Sequence, residues 1–158
     1  MTTTESLSLN TSILPKVENI LSEELSLDEK LFAICELLQD DVDYFDWVGF
    51  YMVDPEVDNQ LKLGPFVGEP TDHITIPFGK GVCGQVAVSH QTFVSQDVNA
   101  EDNYISCSNF VQSEIVVPIM KNGAFVAQID IDSKVKNSIS DEKKELLEKI
   151  CTLLSNEF

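Results

Sequence analysis

One cysteine and three acidic residues have the types and spacing of a chemically active site. Cys107 lies in a long polar loop, seven positions before Glu114. Asp130 and Asp132 lie two residues apart in an apolar stretch with strand character, so their side chains share one face of a sheet. A hairpin between this strand and the one that begins near Glu114 brings the three acids close together.

A thiol beside converging carboxyl groups can reduce a sulfoxide. Like charges in one site raise each other's pKa, so one acid can stay protonated near neutral pH. A thiolate then attacks the sulfur while the acid protonates the oxygen, which leaves as the sulfenic acid of the cysteine, and a second thiol reduces that intermediate. The remaining carboxylates would bind the ammonium group of a free amino acid, and Trp47 and Tyr51, on one strand face, would hold its S-methyl group.

Each of these features also has a purely structural explanation. Paired aspartates on a sheet face are common on solvated surfaces, and strand aromatics are more often core residues. Cys107 could be an incidental exposed thiol in its loop.

The segments around these residues predict a single α+β domain. Two amphipathic helices come first, the second starting at a Ser26–Glu29 capping box, and Ser140 begins a final helix. Between them lie about six strands with turn signals. We expect residues 1–15 to form a flexible N-terminal arm and 16–158 to form one domain, with helices packed on one face of an antiparallel six-stranded sheet and ligand loops on the other.

The charge of the chain narrows the classes of partner. The net charge is −17 and the sequence contains no arginine, which disfavours nucleic acids, anionic lipids and phosphate ligands. No apolar run is long enough to span a membrane and the N-terminus lacks a secretory signal, so we expect a cytoplasmic location. Cys35 and Cys151 fall on apolar helix faces and are expected in the core. No cysteine or histidine spacing predicts a zinc site.

Several short strings between residues 45 and 133 occur in an order and spacing typical of one protein family. They are Trp47-Val48-Gly49-Phe50-Tyr51, Leu63-Gly64-Pro65-Phe66, Ile76-Pro77-Phe78-Gly79-Lys80-Gly81-Val82-Cys83-Gly84, Asp97-Val98, Ile105-Ser106-Cys107, Ser113-Glu114-Ile115-Val116-Val117-Pro118-Ile119 and Ile129-Asp130-Ile131-Asp132-Ser133. In these strings the chain resembles the free methionine-R-sulfoxide reductases, a catalytic branch of the GAF domains.

The resemblance implies a GAF-like fold and a role for each site residue. It implies a cysteine that attacks the sulfoxide and a second cysteine. It also implies carboxylates that bind the ammonium group and polarise the sulfoxide oxygen, and two aromatic residues in the pocket. The implied catalytic residues are Cys107, Cys83, Glu114 and Asp130, and the implied substrate-binding residues are Trp47, Tyr51, Glu114, Asp130 and Asp132. Free methionine-R-sulfoxide is the implied substrate, thioredoxin or a small thiol the reductant, and no metal or organic cofactor is required. A homodimer is expected by analogy only.

The chain departs from the family pattern mainly in its cysteines. The family usually carries a further cysteine in the loop before Ile-Pro-Phe-Gly, which often resolves the sulfenic acid, but that position aligns here with Asp72 or His73. Ser108 replaces an aspartate, Gln85 a threonine and Ala127 a glycine.

Three routes for the second half of the reaction stay open. Cys83 could resolve the oxidised Cys107, an external thiol or donor protein could attack it directly, or turnover could be lost. The competing functions are therefore a non-catalytic GAF domain that binds a small ligand and a cysteine-based redox sensor.

Overall fold

A central antiparallel sheet lies between two layers of helices and loops in this protein. The computed structural model describes residues 2–101 and 111–158. Within these ranges the elements, in chain order, are α1 (Thr2–Ser22), α2 (Leu27–Asp41), β1 (Trp47–Val53), β2 (Gln60–Val67), β3 (Thr75–Pro77), α3 (Gly81–Ser89), β4 (Phe93–Ser95), a 3-10 turn (Val98–Ala100), β5 (Ser113–Lys121), β6 (Ala124–Ser133), α4 (Asp141–Leu154) and a C-terminal 3-10 turn (Ser155–Glu157). No helix among the described residues has both the length and the apolar character needed to cross a membrane.

The six strands pair in the order β3-β2-β1-β6-β5-β4, and every described pairing is antiparallel. The β5–β6 hairpin turns at Asn122 and Gly123, which have φ values of 52° and 81°. Positive φ at both central residues matches the tight turn predicted from the Asn-Gly signal. The predicted α+β fold with an antiparallel six-stranded sheet is confirmed.

The two faces of the sheet have different partners. Alternate residues of β1, β5 and β6, such as Phe50, Val117 and Ile129, pack with α1, α2 and α4 in the main hydrophobic core. The opposite face carries a smaller cluster in which Trp47 and Tyr51 pack with residues of α3. The site residues of β1 and β6 lie on this second face because side chains alternate along a strand.

The N-terminal segment differs from the sequence-based expectation. Residues 2–15 do not form a flexible arm but belong to α1, a continuous helix that contains Pro15. Ile13 and Val17 are almost fully buried in the main core, and α1 packs against α4. Burial of these apolar side chains offsets the backbone hydrogen bond that a proline inside a helix cannot donate.

The predicted starts of α2 and α4 are confirmed, whereas a helix start at Pro15 is wrong because α1 begins at Thr2. Ser26 accepts a hydrogen bond from the Glu29 amide while the Glu29 side chain accepts from the Ser26 amide. Ser140 accepts from the Lys143 amide at the start of α4. Both caps satisfy amides that have no partner within the helix.

Candidate active site

Three buried carboxyl groups, Glu114, Asp130 and Asp132, converge on the second face of the sheet and are called the carboxylate cluster below. Glu114 lies directly opposite Asp132 in the β5–β6 ladder. The three residues are only 4%, 1% and 4% exposed, respectively. The predicted convergence of these acids is therefore confirmed, and the alternative of a solvated surface pair is wrong.

Burial and mutual repulsion shift the acidity of the carboxylate cluster. Burial, followed by the charges of Asp130 and Asp132, raises the pKa of Glu114 well above its usual range, and hydrogen bonds to both aspartates add to this rise. Burial also raises the pKa of Asp130, against the opposing effect of its hydrogen bonds and of His73. Burial and then the Asp130 charge raise the pKa of Asp132 well above its usual range. Glu114 is consequently the group best suited to hold a proton and donate it.

Two oxygens of the carboxylate cluster lack a hydrogen-bond partner among the described residues. Asp130 Oδ1 and Asp132 Oδ1 are buried and make no hydrogen bond to any described residue. Buried carboxylate oxygens are normally paired, since an unpaired one carries its full desolvation cost. The cluster is thus suited to a cationic or hydrogen-bond-donating ligand.

Helix α3 places Cys83 against the carboxylate cluster. The Cys83 Sγ lies 3.4 Å from Asp130 Oδ2 and donates a hydrogen bond to it. Burial, followed by the charges of Asp130, Glu114 and Asp132, raises the pKa of the Cys83 thiol well above its usual range. Cys83 is therefore a protonated thiol with a carboxylate beside it that can accept its proton.

The indole of Trp47 borders a larger cavity next to the carboxylate cluster. This cavity has a volume of about 330 Å³ and is lined by Trp47, Thr71, Val111 and Asp132 among others. Its volume is at the lower end of the range typical of small-molecule sites. Trp47 Nε1 donates to Glu69 O at 2.9 Å, which holds the indole in place.

Tyr51 lies beneath the loop that leads into β3. Its side chain is fully buried, and its hydroxyl donates to His73 O at 2.9 Å. His73 lines a second, small cavity together with Cys83, Glu114 and Asp130. Tyr51 therefore supports the His73 backbone in this structure, and its predicted contact with substrate stays a prediction.

Comparison with known proteins identifies the family. A sequence model of the GAF domain family matches residues 26–158. The chain is 36% identical over 145 residues to GAF domain-containing protein A of Dictyostelium discoideum, covering 92% of this chain and 89% of that one. It is 32% identical over 135 residues to the free methionine-R-sulfoxide reductase of Escherichia coli, covering 85% of this chain and 79% of that protein. The chain belongs to the free methionine-R-sulfoxide reductase family.

A solved member of the free methionine-R-sulfoxide reductase family has the same architecture. The structure of the Neisseria meningitidis enzyme in complex with its substrate has a TM-score of 0.89 and 33% sequence identity, and the match covers 96% of this chain and 89% of that one. This chain therefore has the GAF fold of the reductase family, as the sequence strings predicted.

Cys107, the predicted nucleophile of this chain, lies outside the described residues. The structure brings Cys83 together with Glu114, Asp130 and Asp132, and Trp47 lines the larger cavity together with Asp132. Cys35 and Cys151 lie in the main core, and burial, the largest effect at each, raises the pKa of both thiols. Their predicted structural role is confirmed.

Sequence reasoning missed two residues near the site. His73 lines the small cavity beside the carboxylate cluster, and the alignment of Asp72 or His73 with the family's resolving cysteine was the signal that could have indicated it. Gln128 is fully buried, and its amide makes no hydrogen bond to any described residue. It precedes Asp130 by two positions on β6, so the alternating polar pattern that led to the aspartates could also have indicated Gln128.

Proposed function

We propose that this protein reduces free methionine-R-sulfoxide to methionine, using Cys107 as the nucleophile. The observation that carries this proposal is the buried carboxylate cluster beside a cavity walled by Trp47. Reductase function is also supported by relatives that bear this activity in their names, including the Escherichia coli enzyme.

The carboxylate cluster suits the ammonium group of a free amino acid. Its acids take part in none of the ion pairs recorded among the described residues. Asp130 Oδ1 and Asp132 Oδ1 are available as acceptors for the N–H groups of an ammonium ion. A residue inside a protein chain has an amide there in place of an ammonium group, so this arrangement favours the free amino acid.

The first chemical step transfers oxygen from substrate to enzyme. The Cys107 thiolate attacks the sulfoxide sulfur, and the Glu114 carboxyl protonates the oxygen. In the resulting adduct the hydroxyl oxygen passes from the substrate sulfur to the Cys107 sulfur. The bond between the two sulfurs breaks with its electron pair going to methionine, and Cys107 becomes a sulfenic acid. Glu114 is suited to this role because burial and its neighbours raise its pKa.

The second step removes the oxygen as water. Asp130 accepts the proton of Cys83 across their 3.4 Å contact, and the resulting thiolate attacks the Cys107 sulfenic sulfur to form a disulfide. Two electrons from thioredoxin or a small dithiol then restore both thiols. Because its pKa is raised, Cys83 is a slow nucleophile until Asp130 takes its proton, so an external thiol competes for the sulfenic acid.

Steady-state assays test this assignment. Reduced protein, free methionine-R-sulfoxide and dithiothreitol should yield methionine, and thioredoxin with its reductase should replace dithiothreitol. Cys107→Ser should abolish turnover, whereas Cys151→Ser, which changes a core thiol on α4, should keep it. Full turnover by Cys107→Ser would exclude Cys107 as the nucleophile, and a folded wild-type protein that binds the sulfoxide without consuming it would indicate a ligand-binding domain.

A further inference from the structure

A small cavity beside the carboxylate cluster has the size and the ligand types of a metal-ion site. It has a volume of about 20 Å³ and is lined by Cys83, Glu114, Asp130 and His73, among others. A volume of this order holds one water molecule or one ion and excludes an amino acid. Half-buried His73 and exposed Lys80 both line the cavity.

The donor atoms in this cavity are already close to metal-binding geometry. Ligand atoms of Cys83, Glu114 and Asp130 all lie within 4.8 Å of one another. Tetrahedral zinc with bonds of about 2.0–2.3 Å separates its ligand atoms by roughly 3.3–3.8 Å. The Cys83 Sγ to Asp130 Oδ2 distance of 3.4 Å falls within that interval.

A second observation also points to a missing ligand. Asp130 Oδ1 is buried and makes no hydrogen bond to any described residue, although Asp130 lines the cavity. A cation here would compensate acids that lie close together without a paired lysine in the described part of the chain. A thiolate together with carboxylates selects a borderline divalent ion such as Zn²⁺ over Mg²⁺ or Ca²⁺.

We propose that Cys83, Glu114 and Asp130 bind a Zn²⁺-class divalent cation and that this cation inhibits the enzyme. Binding replaces the thiol proton of Cys83 with a metal–sulfur bond and releases that proton to solvent. The bound ion occupies Asp130, which the substrate ammonium needs, and Glu114, the proposed proton donor. It also blocks the thiol that would resolve Cys107. The inhibitory part of this proposal rests on the proposed reductase function, whereas binding does not.

Cobalt substitution tests binding without an activity measurement. Reduced, oxygen-free protein titrated with Co²⁺ alone should develop a thiolate-to-cobalt absorption band in the near ultraviolet that saturates at one equivalent and disappears when Zn²⁺ is added. Cys83→Ser should remove this band, and Cys151→Ser should retain it. Since loss of even an outer-shell partner weakens metal binding by about 10–100-fold, Glu114→Gln and Asp130→Asn should each weaken Co²⁺ binding at least tenfold.

X-ray absorption at the zinc edge of the wild-type protein provides a test that does not depend on variant folding. One sulfur with oxygen or nitrogen neighbours is expected. No sulfur, more than one sulfur, or a cobalt band that survives Cys83→Ser and vanishes in Cys107→Ser would overturn the proposed site. Reductase activity that persists at full zinc occupancy would overturn inhibition alone, and tight zinc binding by a protein without reductase activity would instead overturn the proposed function.

Discussion

Gly49→Ala tests whether the position of the Trp47 indole matters for substrate. Gly49 lies in β1 on the same face as Trp47, directly opposite Phe66 of β2. A methyl group at Gly49 would contact Trp47 Cη2 most closely, and would lie 2.7 Å from Trp47 Cζ3 and 2.8 Å from Phe66 Cβ. Carbon atoms prefer separations of about 3.5–4.0 Å, so the indole must move by about 1 Å.

The cost of this displacement follows from how the indole is held. Trp47 stacks on Phe66 with ring centres 5.5 Å apart, and its Nε1 donates to Glu69 O at 2.9 Å. Overpacking of this kind costs about 1–3 kcal/mol, and replacement of glycine by alanine restores about 0.4–1 kcal/mol by restricting the unfolded chain. We expect a net loss of about 1–2 kcal/mol and a fall in Tm of about 2–8 °C. Displacement by about 1 Å should also lower kcat/KM for free methionine-R-sulfoxide by up to about 100-fold.

Thermal unfolding and steady-state kinetics measure the two effects of Gly49→Ala. Gly64→Ala is the matched control, because a methyl group there would lie 3.2 Å from Met52 Cγ and 3.3 Å from the Phe50 carbonyl oxygen, a much smaller overlap than at Gly49. It should stay within about 0.5 kcal/mol of wild type and keep its activity. Wild-type stability and kcat/KM in Gly49→Ala would refute the packing argument. Reduced stability with unchanged kcat/KM would refute the role of Trp47 at the substrate.

Three further predictions concern acidity and burial. Burial and the neighbouring acid hold the pKa of Asp132 well above its usual range, so the folded state loses stability as pH rises through the interval between the unfolded and folded pKa values. Asp132→Asn should therefore stabilise the protein by about 1–2 kcal/mol at pH 8 and have little effect near pH 4. Urea unfolding with a chelator present measures both values, and an equal effect at the two pH values would contradict this account. Cys35 and Cys151 have pKa values raised mainly by burial, so a thiol reagent at pH 8 should label them only after unfolding, and rapid labelling of the folded protein would be inconsistent with their burial. Lys143 is 6% exposed and donates to two backbone carbonyl oxygens at 2.8 and 2.9 Å. Lys143→Met should therefore lower the free energy of unfolding by about 2–3 kcal/mol. An unchanged urea midpoint would show that these hydrogen bonds contribute nothing to stability.

The sequence was sufficient to predict the sheet and its row of acids. Alternation along β6 placed Asp130 and Asp132 on one face, and the Asn122-Gly123 turn set the register that brings Glu114 opposite Asp132. These are local signals, because strand period and turn type depend on a few adjacent residues.

Features that depend on packing between distant segments could not be predicted in this way. The burial of Ile13 depends on the packing of α1 against α4, so weak periodicity before Pro15 suggested an arm where the structure has a helix. The contact between Cys83 and Asp130 joins residues 47 positions apart in sequence. Rules based on ligand spacing in the sequence likewise do not detect the proposed zinc ligands Cys83, Glu114 and Asp130, since these residues come from α3, β5 and β6.

The most direct test of the proposed function is a single turnover with both sulfoxide epimers. Reduced protein in excess over racemic free methionine sulfoxide, without any reductant, is analysed by chiral chromatography and by mass spectrometry of the protein. We predict that the R epimer disappears and an equal amount of methionine forms, that the S epimer stays, and that Cys107 is recovered as a sulfenic acid or in a disulfide. If both epimers persist, or if methionine forms while Cys107 remains a free thiol, the account of this site is wrong.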